Sequence, residues 1–203
     1  MKHEPQPQIN QWLGLEFSVV QGEALRQFGQ WLSSEGIPAG LLSSAERDRI
    51  WDRHIADSLS FCVGWIDAPP KRLLDAGSGA GLPGIPLAIA FPHAAVTLLD
   101  RSTKRVRLLK RAIRVLGLAN VEALVGDVRE QRGWESVAMR AVFSPDEAVK
   151  VMRQALTPEG RGVLGLAHRR SPDPAWNELG GRVVKVTVLD PPGWLLMIQQ
   201  CGD

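Results

Sequence analysis

The stretch that decides the fold is LLDAGSGAGLPGIP, residues 73–86. It holds four glycines and two prolines in fourteen residues, directly behind an apolar run. Glycines between a strand and a helix let the backbone approach a ligand closely, whereas proline at a helix start removes N–H donors. The stretch therefore predicts a ligand-binding turn, and the rest of the chain must indicate which ligand it binds.

Length and composition predict one main domain. The chain has 203 residues, 44% of them hydrophobic, which is enough for one substantial core. No segment approaches the roughly 20 apolar residues of a membrane span, and the polar start MKHEPQPQIN lacks the apolar core of a signal peptide. We expect a cytoplasmic monomer without a membrane partner. Cys62 and Cys201 lack metal-ligand spacing, so we expect reduced thiols and no metal.

The first part of the chain, residues 1–70, is predicted to be a helical N-terminal extension. Ser18 with Gln21, and Ser43 with Glu46, have the spacing of capping boxes at two helix starts. Two prolines then mark the boundary to the remainder of the chain.

Residues 71–203 alternate predicted strands and helices. Repeated strand–helix units imply an α/β fold with a mostly parallel, doubly wound sheet and helices on both faces. The final segments GRVVKVTVLD and WLLMIQQ flank a PPG turn and predict an antiparallel hairpin at the end of the sheet. This combination is typical of the Rossmann-like fold of class I methyltransferases.

Two ligand classes fit the glycine turn. Gly79, Gly81 and Gly84 match the G-x-G-x-x-G pattern of dinucleotide-binding proteins, with Asp100 further along the chain. Gly77, Gly79 and Gly81 fit the G-x-G-x-G motif of S-adenosylmethionine-dependent methyltransferases equally well. A pyrophosphate prefers free N–H groups at a helix N-terminus, and the two prolines remove such donors. The sequence favours S-adenosylmethionine, and a dinucleotide dehydrogenase stays open.

Carboxylates at the ends of predicted strands suit this methyl donor. Asp75 ends the first strand and is expected near the aminoacyl end of the donor. Asp100 ends VTLLD, where it is placed to accept hydrogen bonds from the ribose. Asp127 follows the third strand, where a carboxylate can accept from the adenine amino group. Together they predict a donor site at one edge of the sheet.

A strongly basic helix is predicted directly after Asp100. The segment RSTKRVRLLKRAIRVLG has seven basic residues between Arg101 and Arg114 and no acidic residue. At about 100° per residue, its apolar side chains share one face. The opposite face carries Lys104, Arg107, Arg111 and Arg114. Such a face is typical of a solvated helix or of a surface that binds nucleic-acid phosphates; beside a donor site, we favour RNA.

Three stretches together resemble the bacterial 16S rRNA (guanine-N7) methyltransferases, also called glucose-inhibited division protein B. They are RHIADSL at 53–59, DAGSGAGLPGIPLAIAFP at 75–92 and VTLLDRSTKRVRLLKRAIRVLGLANVE at 96–122. The later MRAVFSPDEAVKVMRQALTPEGRGVLGL is similar to the same family. The chain differs where Val128-Arg129 replaces the usual Ala-Glu or Val-Glu, and where Leu166-Ala167-His168 replaces Leu-Lys-Gly.

The resemblance implies that residues 71–203 are an S-adenosylmethionine-binding methyltransferase domain. It implies methyl transfer from S-adenosylmethionine to N7 of a guanosine in 16S ribosomal RNA, as free RNA or in the small ribosomal subunit. Carried over position by position, it implies donor contacts from Gly77, Leu82, Val128, Arg129 and Arg140.

The chemistry of guanine N7 predicts catalysis without a catalytic residue. N7 carries a free lone pair, so attack on a sulfonium methyl needs proximity, orientation and exclusion of water rather than a general base. His54 is expected to join the N-terminal helices to the sheet instead of acting as a catalyst. Two alternatives stay open: a small-molecule methyltransferase, and a non-catalytic RNA-binding relative.

Overall fold

The computed structural model describes residues 6–200. Its seven-stranded sheet has the order β3-β2-β1-β4-β5-β7-β6. The strands are β1 Arg72–Ala76, β2 Ala95–Asp100, β3 Val121–Val125, β4 Trp134–Arg140, β5 Leu156–His168, β6 Arg182–Val186 and β7 Gly193–Gln199. β1 to β5 run parallel, whereas β7 pairs antiparallel with both β5 and β6. The predicted parallel sheet with an antiparallel end is confirmed.

The two faces of the sheet bury separate hydrophobic cores. The described α-helices are α1 Gln6–Leu13, α2 Val19–Trp31, α3 Ala56–Ser60, α4 Gly84–Ala90, α5 Thr103–Leu116 and α6 Pro145–Ala155. Phe28 of α2, Leu87 of α4 and Leu109 of α5 belong to one core. Val149 and Met152 of α6 belong to the other. Helices therefore cover both faces, as the alternating pattern predicts.

Of the two predicted capping boxes, only the first forms. Gln21 donates its backbone N–H to Ser18 Oγ at 3.2 Å, and its side-chain oxygen accepts the Ser18 N–H at 2.9 Å. Ser43 makes no side-chain capping hydrogen bond within residues 6–200, because the Glu46 N–H donates to the Ser43 carbonyl at 3.1 Å. The Glu46 side chain contacts His54. The chain there runs through a 3₁₀-helix, a π-helix and α3 in succession.

The N-terminal helices share a core with the strand–helix units. Leu25 and Phe61 lie in the same buried cluster as Leu73 of β1 and Val163 of β5. The division of the chain at residue 70 stays a prediction. Cys62 also lies in this cluster, where burial raises the pKa of its thiol; Cys201 lies outside the described residues. None of the helices described is long and apolar enough to cross a bilayer.

The terminal hairpin has a longer connection than predicted. β6 ends at Val186 instead of continuing to Asp190, and residues 187–192 join it to β7. Pro191 and Pro192 have no N–H to donate to a strand ladder, so the sequence before β7 cannot extend the pairing.

Candidate active site

Two adjacent cavities open at the carboxyl ends of the parallel strands. Their volumes are about 260 and about 410 Å³. The first lies beside Gly77, Asp100, Val128 and Phe143, and the second beside Arg53, His54, Asp57, Arg140, His168 and Trp194. Ala141 lines both. This is the edge at which open α/β sheets bind their ligands, close to where the strand order reverses.

The glycine turn has the left-handed backbone that permits close approach. Gly77, Gly79 and Gly81 have φ angles of 76°, 59° and 85°. A Cβ on Gly77 would lie 2.4 Å from Cγ2 of Val142, another residue of the first cavity. A side chain at Gly77 would therefore be strained and would displace the cavity wall.

The N-terminus of α4 offers no free amide to a pyrophosphate. The Gly84 N–H donates to Asp75 Oδ2 at 2.9 Å. The N–H groups of Ile85 and Leu87 donate to carbonyls four residues earlier, and Pro86 has none. The structure thus agrees with the sequence argument that this turn suits a ligand without a phosphate.

Asp75 lines neither cavity. Its side chain is fully buried, and Oδ2 accepts the Ser78 hydroxyl at 2.6 Å as well as the Gly84 N–H. Burial raises the pKa of Asp75 to about 6, with the two hydrogen bonds opposing the shift. In place of the expected contact with the aminoacyl end of a donor, Asp75 ties β1 to the turn and to α4.

Replacing Asp75 by Asn is expected to change how stability depends on pH. Because the pKa of Asp75 is raised in the folded state, protonated Asp75 contributes fully to the free energy of unfolding below its unfolded-state pKa. This contribution is lost as pH rises through about 6. Asn keeps an acceptor for Ser78 and Gly84 but cannot ionise. Between about pH 4 and pH 7, urea unfolding should show D75N gaining about 3 kcal/mol relative to the native protein. A difference that stays constant with pH would contradict this role.

Asp100 is held rigidly beside the glycine turn. Its Oδ2 accepts the Gly79 N–H at 2.9 Å, and its Oδ1 accepts the Ser102 N–H at 2.8 Å. The Arg105 guanidinium lies 3.6 Å from the Asp100 carboxylate. Asp100 is buried, with 5% of the residue exposed to solvent. Each carboxylate oxygen has a second lone pair, so Asp100 can still accept hydrogen bonds from a ligand in the first cavity.

The predicted residues after β3 lie at the same end of the sheet. Val128 is buried and lines the first cavity. Asp127 Oδ1 accepts the Arg129 N–H at 2.9 Å and caps the short helix that follows. The Arg129 side chain donates to Glu147 at 2.8 Å and lies over the ring of Phe143, 4.6 Å from its centroid. Val128 thus lies with Gly77 and Asp100, whereas donor contacts from Asp127 and Arg129, which do not line the first cavity, stay predictions.

Leu82 and Arg140 lie away from the first cavity. Leu82 is 3% exposed and belongs to the hydrophobic core. Arg140 ends β4 and lines the second cavity, where it donates to Asp57 Oδ2 at 2.8 Å. For both residues, a side-chain contact with a donor stays a prediction from the family resemblance.

Asp57 is the centre of a buried polar cluster in the second cavity. Besides Arg140, it contacts His168, whose Nε2 lies 2.9 Å from Asp57 Oδ1. Burial by itself would raise the pKa of Asp57. The hydrogen bond from His168 and the charge of Arg140 together outweigh this effect, so the pKa of Asp57 lies below its usual value. The carboxylate is therefore ionised at neutral pH and balances the charge of Arg140. In the sequence, Asp57 stands between Ala56 and Ser58 in RHIADSL, and no local pattern marks it as a site residue.

His54 lines the second cavity from the N-terminal segment. Its Nε2 lies 2.9 Å from Glu46 Oε2, and its Nδ1 is buried with no hydrogen-bond partner within the described chain. Burial and the charge of Arg140 lower the pKa of His54, although Glu46 opposes this shift. His54 is therefore neutral at pH 7, and its position agrees with the expected contact between N-terminal segment and sheet.

The predicted basic face of α5 is exposed, but one of its four side chains is paired with a carboxylate. Val106 and Leu109 are buried on the opposite face. Lys104, Arg107 and Arg114 are exposed and form no ion pair with the part of the chain that is described. Arg111 instead donates to Glu35 at 2.5 Å, and this contact raises the pKa of Arg111. The α5 face therefore has less free charge than its sequence suggests.

Comparison with known proteins identifies relatives over most of the chain. Residues 21–169 match the family described as GidB, rRNA small subunit methyltransferase G. The chain is 40% identical over 198 residues to ribosomal RNA small subunit methyltransferase G of Mycobacterium marinum, which covers 89% of this chain and 85% of the relative. It is 39% identical over 145 residues to the protein of the same name from Mycobacterium ulcerans, with coverages of 68% and 84%.

Solved structures share the fold at low sequence identity. Magnesium protoporphyrin IX methyltransferase from Synechocystis PCC 6803, solved with bound S-adenosylmethionine, has a TM-score of 0.59 at 18% identity, covering 87% of this chain and 97% of that one. The S-adenosylmethionine-dependent methyltransferase SibL has a TM-score of 0.52 at 22% identity, with coverages of 66% and 51%. The class I methyltransferase fold predicted from the element order is confirmed.

Proposed function

Because the chain belongs to the rRNA small subunit methyltransferase G family, we propose that it transfers a methyl group from S-adenosylmethionine to N7 of a guanosine in 16S ribosomal RNA. The observation that carries this proposal is the pair of cavities at one edge of the sheet. One lies beside Gly77 and Asp100 and the other beside Arg140, and Ala141 lines both. A donor in the first and an acceptor in the second would meet at Ala141.

The chemistry of the first cavity supports S-adenosylmethionine as its ligand. Asp100 keeps free lone pairs for the ribose hydroxyls, and Val128 offers an apolar wall for the adenine. The N–H groups at the start of α4 already donate to acceptors within the chain, which suits a ligand without a phosphate. When bound, this donor supplies an electrophilic methyl group on its sulfonium.

The residues of the second cavity suit an acceptor that becomes positively charged. N7 of guanine has a lone pair and no proton, so the chain need only hold the base in line with the methyl group and exclude water. Methylation gives the base a positive charge, which a lone guanidinium beside it would oppose. Asp57, 2.8 Å from Arg140, balances that guanidinium, and Glu46, 3.8 Å from Arg53, balances the second guanidinium that lines the cavity. Neutral His54 adds no charge.

Transfer of labelled methyl groups tests the proposal. Native protein with labelled S-adenosylmethionine should place the label in one N7-methylguanosine of unmodified 16S rRNA, offered free and in the small ribosomal subunit, as identified by mass spectrometry of the RNA. Protein that binds the donor in calorimetry but leaves the RNA unlabelled in both forms would instead be a small-molecule methyltransferase. Absence of donor binding would leave only the non-catalytic RNA-binding alternative.

We also propose that Lys104 and Arg107 of α5 contact RNA phosphates. Both are exposed at the start of the helix, directly after Asp100. The double variant K104A/R107A should weaken 16S rRNA binding about tenfold and reduce the slope of log Kd against log salt by about 1.5, because each lost phosphate contact removes roughly 0.7 to 0.9. Fluorescence anisotropy over a salt series measures both values.

Lys150 provides the control for this surface. It is exposed on α6, on the opposite face of the sheet from α5. K150A should keep the native affinity and salt slope. A K104A/R107A protein with the native slope would show that RNA does not dock on this part of α5.

A further inference from the structure

We infer that the second cavity holds a guanine base flipped out of the RNA, and that Trp194 is the aromatic wall on which this base stacks. The inference rests on the proposed function and adds to it the site of the acceptor. Trp194 lies beyond residues 21–169, over which the family match extends. The assignment therefore comes from the structure of this chain.

The indole of Trp194 is fixed in place at the cavity. Its Nε1–H donates to the Arg169 carbonyl at 2.8 Å, so its one polar atom is satisfied. The Lys185 ammonium lies 5.6 Å from the ring centroid, and the ring of Trp176 is tilted by 51° at 6.0 Å. These contacts hold the half-buried indole ring, which lines the second cavity. A rigid aromatic surface with a satisfied N–H loses little entropy when a planar ligand stacks on it.

The position of the cavity suits a base that receives a methyl group. It adjoins the cavity proposed for the donor through Ala141, so a base there would have an edge near the methyl group. Enzymes that modify a base within structured nucleic acid extrude it from the stack and hold it by aromatic contacts and by hydrogen bonds to its edges.

The polar groups of the cavity favour guanine. Arg140 uses one N–H on Asp57, and a guanidinium has five, so donors remain on the side chain. Arg53 lines the same cavity. O6 of guanine is an acceptor beside N7, and arginine side chains commonly contact both atoms. Here the contact would be to O6 alone, because the N7 lone pair attacks the methyl group. Outside the cavity, Arg169, whose carbonyl accepts the Trp194 N–H, is exposed and pairs with Asp173 at 3.3 Å, and the next residue, Arg170, is also exposed. Flanking phosphates would lie near these two side chains.

The test compares W194L, W194F and the matched control W12L in the whole chain. Trp12 is half-buried, as Trp194 is, but it lies on α1 and lines neither cavity. We expect W194L to lower kcat/KM for 16S rRNA by about 5- to 150-fold, the range that one lost base–aromatic stack gives. W194F should recover most of this loss, and W12L should stay within about twofold of native.

Affinity for S-adenosylmethionine, measured by calorimetry, separates stacking from a structural role. It should stay native in W194L, because Trp194 does not line the first cavity. Native kcat/KM for RNA in W194L, or an equal loss of donor affinity, would overturn the inference and leave the proposed function standing. Failure of the native protein to label 16S rRNA would overturn both.

Discussion

Replacing Asp100 by Ala is expected to abolish measurable binding of S-adenosylmethionine. The carboxylate of Asp100 is anchored by the Gly79 and Ser102 N–H groups and faces the first cavity. Hydrogen bonds to a charged group are each worth about 1.5 to 3 kcal/mol, so losing those to two ribose hydroxyls should weaken binding by more than about 100-fold. The Gly79 N–H also loses its acceptor, which loosens the turn. Calorimetric titration of the donor measures the effect.

Two further variants make this result specific. D100N keeps one acceptor oxygen and should weaken donor binding by about tenfold. Glu122 pairs the same two strands, β2 and β3, by accepting the Thr97 hydroxyl at 2.9 Å, but it lies at the far end of both. E122A should therefore bind the donor as the native protein does. Donor affinity of D100A within about threefold of native would show that Asp100 does not hold the ribose.

The features that the sequence predicted correctly are local ones. The strand before the turn, the left-handed glycines and the carboxylate at the end of β2 lie within 29 residues, from Arg72 to Asp100. Strands β1 and β2 pair in register, so their carboxyl ends bring Gly77 and Asp100 together without help from the rest of the chain. One family motif falls on the same segment, so the glycine pattern and the resemblance both indicate Gly77, which lines the first cavity.

The features that the sequence did not predict depend on contacts between distant segments. Arg140 meets Asp57 across 83 residues, and Arg111 meets Glu35 across 76. Neither pairing has a local signature, because an acid and a base attract at any sequence separation once the fold brings them together. The second cavity is likewise assembled from the N-terminal segment and the ends of β4, β5 and β7. Only the packing of these elements reveals Asp57, His168 and Trp194 as neighbours.

The second large effect is expected from replacing Asp57 by Ala. This change leaves the half-buried Arg140 guanidinium without its carboxylate and removes the acceptor of His168. Breaking a buried ion pair from one side typically costs about 3 to 5 kcal/mol, so urea unfolding should show D57A destabilised by that amount. Methyl transfer to 16S rRNA should fall with it, because an unbalanced guanidinium would then face the cationic product.

A double variant distinguishes the contribution of Asp57 to stability from its contribution to transfer. Apolar residues in place of both members of a buried ion pair are often neutral for stability. D57L/R140M should therefore unfold at close to the native urea concentration, yet transfer little methyl to RNA because the second cavity has lost its polar groups. A loss of donor affinity in this variant would support the donor contact that the family resemblance implies for Arg140, whereas native donor affinity would place Arg140 with the second cavity alone. Native transfer rates in D57L/R140M would show that the cluster serves folding alone.

The pH dependence of stability gives an independent check on Asp57. The pKa of Asp57 is lowered in the folded state, so ionised Asp57 contributes fully to the free energy of unfolding above its unfolded-state pKa. This contribution is lost as pH falls through the folded-state pKa. The stability gap between the native protein and D57A should therefore be constant near neutral pH and should close below about pH 4. A gap that stays open in acid would mean that packing of the side chain, and not its charge, stabilises the protein. Closure of the gap would show that the charge of Asp57 stabilises the protein through its contacts with Arg140 and His168.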